Sequence, residues 1–438
     1  MKPTSFLSFT RKYFHPILII FTLFVAIPCE KIYGQLRITE NYEVGAAPDL
    51  WFNAVDGVRT GVRFRGEEPG TFLDGRHRID AGIWLGTRFP ENPLSYYFSY
   101  THPVDPVSDA NSEGAFRMVS SIRAGLHLHE SGFQKRWQPG FDEYISFDLG
   151  IFAGLYHRFD MEYVLYEKLW QQNPMFYLRS NFRKRDRNIM GRWTVAWSVR
   201  AGFPLSRKDD FTSFSDQKTR LPRSLGIDGL FAQVHLEAMQ EISLPMLMVL
   251  RARLFGGISS DALPSEFRYL TSDAVAMDWI HSGFTRARGT LPQHWMGAGW
   301  IHIPGGPNLR GYTLETTELL EKGLNAWSQH VVSYNLNLYY PNPFNIYISK
   351  IPYLGEMLKL ESYVFSDAGF LYRENHWQRL RINAGAGFML SLNIPDYLGK
   401  DRGFFIRYEL PVWLSEVSDG ENNLKARHVL GIGALFRL

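Results

Sequence analysis

The chain has 438 residues, a formal charge of +3, one cysteine, 15% aromatic residues and 38 glycines. So mild a charge, spread along the chain, gives no footing for nucleic acid, and a single cysteine excludes a disulfide framework. The length alone would allow several soluble domains, but a mean hydropathy of −0.20 with a single long apolar run excludes a bundle of membrane helices.

In chain order, the first element is an export signal. Lys2, Arg11 and Lys12 precede or flank the start of an apolar run from Ile17 to Ile27, and a polar stretch then ends at Tyr33-Gly34-Gln35. Charged, apolar and small residues in that order match a secretory signal peptide, and the run is too short to stay across a bilayer. Cleavage after Gly34 is expected, giving a signal over 1–34, a short lead over 35–49 and one domain over 50–438. Cys29 follows Ile27 and Pro28, where a lipid-anchor motif needs small residues.

From there the pattern is one of alternation. Segments of about ten residues have apolar side chains at every second position and are separated by Gly, Pro, Asn and Asp clusters. The segments fall at 50–65, 76–89, 94–102, 116–129, 142–157, 161–171, 174–184, 188–203, 227–239, 246–257, 293–302, 326–340, 357–369, 378–391, 402–411 and 426–438. In the clearest, Trp193, Val195, Trp197, Val199, Ala201 and Phe203 alternate with Arg192, Thr194, Ser198 and Arg200. Apolar residues on one row and arginines on the other suit a strand between lipid and a polar lumen. The expected fold is all-β, a transmembrane antiparallel β-barrel of about sixteen strands, an even number as single-chain bacterial barrels have. Long loops are expected at 204–226, 258–292 and 303–325. The last segment carries His428, Leu430, Ile432, Ala434, Phe436 and Leu438 on one row, an aromatic-containing end of the kind that bacterial outer-membrane barrels carry.

Two motifs stand out. Pro304-Gly305-Gly306-Pro307-Asn308-Leu309-Arg310-Gly311-Tyr312 lies between two predicted strands, and Phe365-Ser366-Asp367-Ala368-Gly369 lies within a later one. Together, in this order, they resemble the lid loop and the acidic inner strand of the superfamily that holds BamA-type and TamA-type assembly factors and two-partner secretion transporters. The resemblance implies that 303–325 folds into the lumen and that Arg310 meets Asp367 there. Alternation tests the second half independently: if Leu358, Leu360 and Val364 face lipid, then Glu361, Phe365, Asp367 and Gly369 face the lumen. The chemistry stands without the family, since glycines such as Gly305 and Gly306 permit a tight tip and a desolvated guanidinium needs a carboxylate that can grip it with both oxygens.

The sequence departs from that superfamily twice. An inward glutamate shortly before a proline is expected on the strand after the lid, but Ser333, Asn335, Asn337 and Tyr339 form the row before Pro341, with Asn337 at the acid's place. The lock then rests on Asp367, with Glu361 as the candidate helper. The superfamily's periplasmic domains have no counterpart in 35–49, so any client-gathering role falls to a separate protein partner.

Other constellations carry less. His127-x-His129-Glu130 is a metal pair without an evident third ligand, and His129-Glu130-Ser131 has the spacing of an outer-membrane lipid hydrolase but lacks its companions. Arg179, Arg183, Lys184, Arg185 and Arg187 are placed at a hairpin tip, as a solvated turn or a phosphate clamp. Trp51, Trp84, Tyr96, Tyr97, Tyr100, Tyr339, Tyr340 and Trp413 are read as interface-belt residues. No cofactor or metal is expected. The expected role is non-enzymatic: insertion, translocation or surface display of proteins in the outer membrane, in contact with its lipids. The alternatives are an anchor for a separate enzyme and a passive pore.

Overall fold

In this computed structural model the described residues are 36–39, 42–53, 57–68, 77–88, 94–123, 125–140, 142, 144–158, 170, 173–205, 229–261, 263–279, 291, 300–313, 327–352, 354–373, 375–397, 400–417 and 420–436. The expected signal, the loop at 206–226 and the segment 161–169 lie outside them.

Among the described residues sixteen long strands follow one another: β1 (Tyr42–Asn53), β2 (Gly57–Glu67), β3 (Arg78–Gly86), β4 (Leu94–Pro103), β5 (Ser112–Arg123), β6 (Leu126–Trp137), β7 (Ser146–Arg158), β8 (Met175–Asn188), β9 (Gly191–Pro204), β10 (Phe231–Ser243), β11 (Val249–Ser259), β12 (His330–Tyr340), β13 (Leu358–Arg373), β14 (Arg381–Tyr397), β15 (Lys400–Leu414) and β16 (Val429–Phe436). Each pairs antiparallel with the next, in a single sheet that also takes in the short strands Leu36–Thr39 and His376–Trp377. Among the described residues no ladder joins β1 to β16.

The sheet has two unlike faces. One row presents Val62, Ile83, Ile151, Leu178, Trp197 and Ile406 at 39 to 56% exposure. Successive strands continue it, because cross-strand partners share a face: Trp197 lies opposite Phe182 and Leu236, and Val364 opposite Leu338 and Ala386. A belt of exposed apolar side chains running round the sheet far exceeds what a soluble monomer leaves bare.

The other face is concave and packed, because the excursion between β11 and β12 folds back into it. That excursion touches strand after strand. Tyr156 of β7 donates to Glu266, Gln233 of β10 donates to the Phe267 carbonyl (2.7 Å), and Arg253 of β11 donates to the Gly306 carbonyl (2.8 Å). Tyr312 donates to the Ile382 carbonyl of β14 (3.0 Å), and Arg407 of β15 donates to His302. A segment in contact with strands from β7 to β15 can only be one that the sheet wraps around. Phe267, Leu270, Met277 and Trp279 from the excursion pack with Tyr156, Met175 and Phe231 from the wall to make the main apolar core.

Several expectations about boundaries are corrected here. The segment 50–65 straddles a turn and spans parts of β1 and β2, and β1 starts at Tyr42, inside the expected lead. The segment 116–129 straddles the turn at Gly125 between β5 and β6. Of the expected strand at 293–302 only Trp300 to His302 are described; they belong to the excursion and make one parallel bridge, Ile301 to Leu430 of β16. The described residues 263–279 pack into the concave face together with 300–313, and 314–325 of the expected lid lie outside the described residues.

Candidate functional site

The lid's tip is built by backbone that few residues can follow. Gly306 has φ of 57°, and a Cβ there would sit 2.7 Å from the Asp273 carbonyl oxygen. Gly311 lies so close to β14 that a Cβ would stand 2.8 Å from Asn383 Cβ. Between them Leu309 is fully buried against Gly369, and Asn308 takes φ of 56°. The tip is thus seated, and Arg310 projects from it into the wall.

Arg310 is 1% exposed and every arm of its guanidinium is engaged. Nε donates to Asp367 Oδ2 (2.9 Å) and Nη2 to Asp367 Oδ1 (2.6 Å), a fork-on-fork pair, and the Arg310 amide also donates to Oδ2 (3.2 Å). Nη1 donates to Glu409 Oε1 (2.8 Å), and Nη2 to Asn337 Oδ1 (2.8 Å). The guanidinium carbon lies 3.9 Å from the centre of the Phe365 ring. Burial works against the charge, but the carboxylates of Asp367 and Glu409 more than offset it and raise the Arg310 pKa further. The side chain is a permanent cation held in place.

A second layer balances the charges. Asn335 donates from Nδ2 to Asp367 Oδ1 (3.0 Å) and to the Asn308 carbonyl (2.9 Å), and Arg253 holds Asn335 Oδ1 (2.8 Å) and Glu237 (2.8 Å). On the other side Tyr363 donates to Glu409 Oε1 (2.8 Å), and Arg407 Nε lies 3.3 Å from Glu409 Oε2. His302 donates from Nε2 to the Ser272 carbonyl (2.7 Å) and accepts from Arg407 at Nδ1, which requires a neutral ring. Burial and the Arg407 guanidinium push its pKa down to about 3, so its 3.7 Å approach to Glu409 is no ion pair. Close by, Asp273 accepts from the Ile303 amide (2.6 Å) and from Ser272, and burial raises its pKa to about 6.

The structure therefore brings together Arg310, Gly311, Tyr312, Asp367, Asn337, Phe365 and Gly369. Glu361 stands apart. It lies on the same row of β13, but its carboxylate pairs with Lys359 (2.8 Å) near the strand's start. The second acid of the lock is Glu409, which sequence reasoning missed. Its signal is present in the chain: Glu409 alternates with Tyr408 and Leu410 and precedes Pro411, the glutamate-before-proline pattern, on the penultimate strand instead of the one after the lid. Of the C-terminal residues, Phe436 ends β16 and Leu438 lies outside the described residues.

The remaining candidates are dispersed. His127 and His129 face the apolar side with His157, while Glu130 faces the wall's interior and pairs with Arg179. His129 Nδ1 meets Ser120 Oγ (3.0 Å). Among the described residues no group of three His, Cys, Asp or Glu is placed to hold a metal. The arginine run forms no hairpin tip: it lies in β8, with Arg179, Arg185 and Arg187 paired to Glu130, Asp148 and Asp142. Trp84 is also no belt residue, being 6% exposed with its indole N–H donating to Asp49 (2.9 Å). Trp51, Tyr97 and Tyr339 share that inner row.

No protein-family model matches the chain, and no curated protein matches it. Solved structures similar to it include BamA from Haemophilus ducreyi lacking POTRA domains 1–3, with a TM-score of 0.42 and 11% identity over 92% of this chain and 75% of that one. CdiB from Escherichia coli has a TM-score of 0.40 and 11% identity, with 90% of this chain spanning 59% of its length. OccK10 (OpdN) from Pseudomonas aeruginosa has a TM-score of 0.37 and 10% identity over 92% and 90%. These are likenesses of overall shape, and they assign no role.

Proposed function

We propose that this chain is a non-enzymatic outer-membrane barrel, exported through a cleaved signal peptide. Its lumen is occupied by its own lid, and it works with a separate protein partner in insertion, translocation or surface display of proteins. The observation that carries this reading is the Arg310 lock. A lid that enters the barrel and fixes a buried cation on two buried acids of different strands is far more elaborate than a pore constriction requires, since a pore's selectivity needs only charged groups lining an open path. The bare apolar belt is what supports the lipid setting, because a spanning sheet must give hydrocarbon its apolar row.

The test is purification of the tagged full chain in mild detergent from its native membrane, beside Arg310→Ala, with conductance of each in planar bilayers. The proposal expects a stoichiometric partner on the wild type, reduced on the variant, and low conductance that rises when Arg310 is removed. A solitary wild-type barrel with steady, high conductance would favour a passive pore instead.

A further inference from the structure

On one side of the wall, the outward apolar row does not stop where the strands do. On β12 it reads Val332, Tyr334, Leu336, Leu338 and Tyr340, apolar or aromatic to the last residue of the strand. Across the sheet Ile242 of β10 lies opposite Leu250 of β11, Leu250 opposite Leu338, and Leu338 opposite Val364 of β13. Gln240 and Ser362 interrupt the row on β10 and β13, and both are hydrogen-bonded, Gln240 to Asn188 (3.3 Å) and the Arg192 carbonyl (3.2 Å), Ser362 to Asn342 (2.6 Å).

The connections beyond continue in kind. Leu244-Pro245-Met246-Leu247-Met248, between β10 and β11, holds no charged residue, and Met246 and Leu247 are 83 and 86% exposed. Between β12 and β13, Phe344, Ile346 and Tyr347 stand at 60 to 67% exposure on and beside the short helix Asn345–Ile348. The two connections are neighbours, because β11 pairs with β12. Elsewhere the same end of the sheet is polar. The β4–β5 connection exposes Asp105, Asp109 and Asn111, and the β6–β7 connection pairs Asp142 with Arg187. The outward rows leading there carry Lys135 on β6 and the Lys184–Asp186 pair on β8.

Two further features fit an apolar medium. Irregular backbone is tolerated at such a boundary only when its polar groups are satisfied within the chain. From Phe344 to Ile351 every amide has an internal acceptor. Phe344 donates to the Asn342 side chain (2.9 Å), Asn345 to the Asn342 carbonyl (3.1 Å), and the next six to carbonyls between Pro343 and Ile348 (2.9 to 3.2 Å). Asn345 also clasps the Leu360 backbone (2.7 and 2.9 Å), which seats the helix against β13 with Ile346 and Tyr347 bare. The other feature is the β10–β11 turn, where Met246 and Leu247 have φ of 61° and 59°. Asn-Gly fills such a turn with least strain, and side chains such as these resist it. Removal of both from water offsets that strain.

We infer that the β10–β11 and β12–β13 connections are seated in the headgroup–acyl boundary of the leaflet at this end, with Met246, Leu247, Ile346 and Tyr347 among phospholipid acyl chains. The occupant follows from continuity, since a patch joined through Leu250 and Leu338 to the lipid-facing row meets the medium that the row meets. Tyr340 and Tyr347 are the amphipathic rings such a boundary favours. Lys350, exposed with its ammonium 5.9 Å from the Tyr347 ring centre, is placed to carry its charge out to the phosphates. This rests on the proposed reading that the sheet spans the membrane. It adds that the apolar band is deeper on the β10–β13 side than on the β4–β8 side, a mismatch that a bilayer meets by tilt of the wall or by local thickening.

The test uses the full chain with Cys29→Ser, refolded into vesicles of phosphatidylethanolamine and phosphatidylglycerol. Bimane is attached to single cysteines replacing Leu247, Ile346, Asp109 or Val364. Iodide, present on both sides of the membrane, is set against nitroxides carried on lipid acyl chains. The labels at Leu247 and Ile346 should be quenched more by a nitroxide near the headgroup than by one near the chain end. Their quenching by iodide should be at least fivefold weaker than that of the Asp109 label, which lies at the same end of the sheet and shows that bimane does not itself draw a turn into lipid. Iodide quenching at Leu247 and Ile346 equal to that at Asp109, without quenching by lipid nitroxide, overturns the inference. If the Val364 label still reports lipid in that result, the spanning reading survives; if it does not, the spanning reading fails and the inference falls with it.

Discussion

Replacing Glu409 by glutamine keeps the shape of the lock and removes one charge. The cluster is balanced, with Arg253, Arg310 and Arg407 against the buried Asp367 and Glu409 and the part-exposed Glu237. The substitution would leave Arg407 and one arm of Arg310 without a carboxylate inside the wall. Breaking a buried pair from one side costs about 3–5 kcal/mol, which at about 1.4 kcal/mol per decade is two to three and a half decades in the equilibrium between seated and released lid. Hydrogen exchange of the peptide spanning 300–313 reads that equilibrium directly, because the Arg310 amide donates to Asp367 Oδ2 of β13 (3.2 Å) and the His302 amide to the Leu430 carbonyl of β16 (2.9 Å). The variant's amides should exchange at least a hundredfold faster, and Arg407→Met/Glu409→Gln, which restores the balance, should recover most of the loss. Exchange within threefold of wild type in Glu409→Gln would refute the view that Glu409 carries the lock.

Arg310→Lys keeps the cation but loses the fork on Asp367. It should weaken seating by about 1.5–3 kcal/mol, seen as partial protection in the same exchange experiment. Gly311→Ala places a methyl 2.8 Å from Asn383 Cβ; overpacking of this kind costs about 1–3 kcal/mol, and trypsin should then cut the lid faster while the wall stays folded on semi-native gels. The lid's pH response should depend on two opposed groups. Asp273, raised from 3.8 to about 6 in the seated lid, binds its proton more tightly there, so its contribution is present in acid and lost as pH rises towards 6. His302, lowered from 6.5 to about 3, makes the opposite contribution, present above 6.5 and lost as pH falls. Between pH 4 and 6 the slopes oppose each other, so His302→Gln should make lid protection fall with rising pH and Asp273→Asn should make it rise. Parallel profiles for the two variants would contradict both assignments.

Much of the wall is legible because lipid imposes a period of two that survives in sequence. The inward placement of Asp367 and Asn383 and the outward placement of Trp193 and Ile382 all follow from alternation. Expected segments and described strands do not map one to one. Two hairpins each read as one strand, at 50–65 and 116–129, because the turns at Gly57 and Gly125 are too short to interrupt a pattern of alternate apolar residues. The expected strand at 161–171 lies outside the described residues apart from Trp170, and of 293–302 only Trp300 to His302 are described, in the lid, where packing against the inner wall also selects apolar side chains. Glu409 is hidden for a different reason: its role depends on β15 lying two strands from β13 across the narrow Gly385 and Gly387 row of β14, which lets Tyr363 and Glu409 meet. Alternation shows which way a side chain faces, and register decides what it faces.

The most direct test of the central claim is whether the lid sits inside the wall at all. Ideal Cβ positions at Gly311 and Asn383 lie 2.8 Å apart, so a small shift brings them to the roughly 3.8 Å of a disulfide. Cys29, in the expected signal, is the chain's only cysteine. Gly311→Cys/Asn383→Cys, expressed into the outer membrane and mildly oxidised, should form an internal bond in nearly every molecule, and Gly311→Cys with a cysteine at lipid-facing Val364 should form none. A barrel that folds but leaves both thiols of the first pair free would show that Arg310 does not enter the wall, and the account built on its lock would fall.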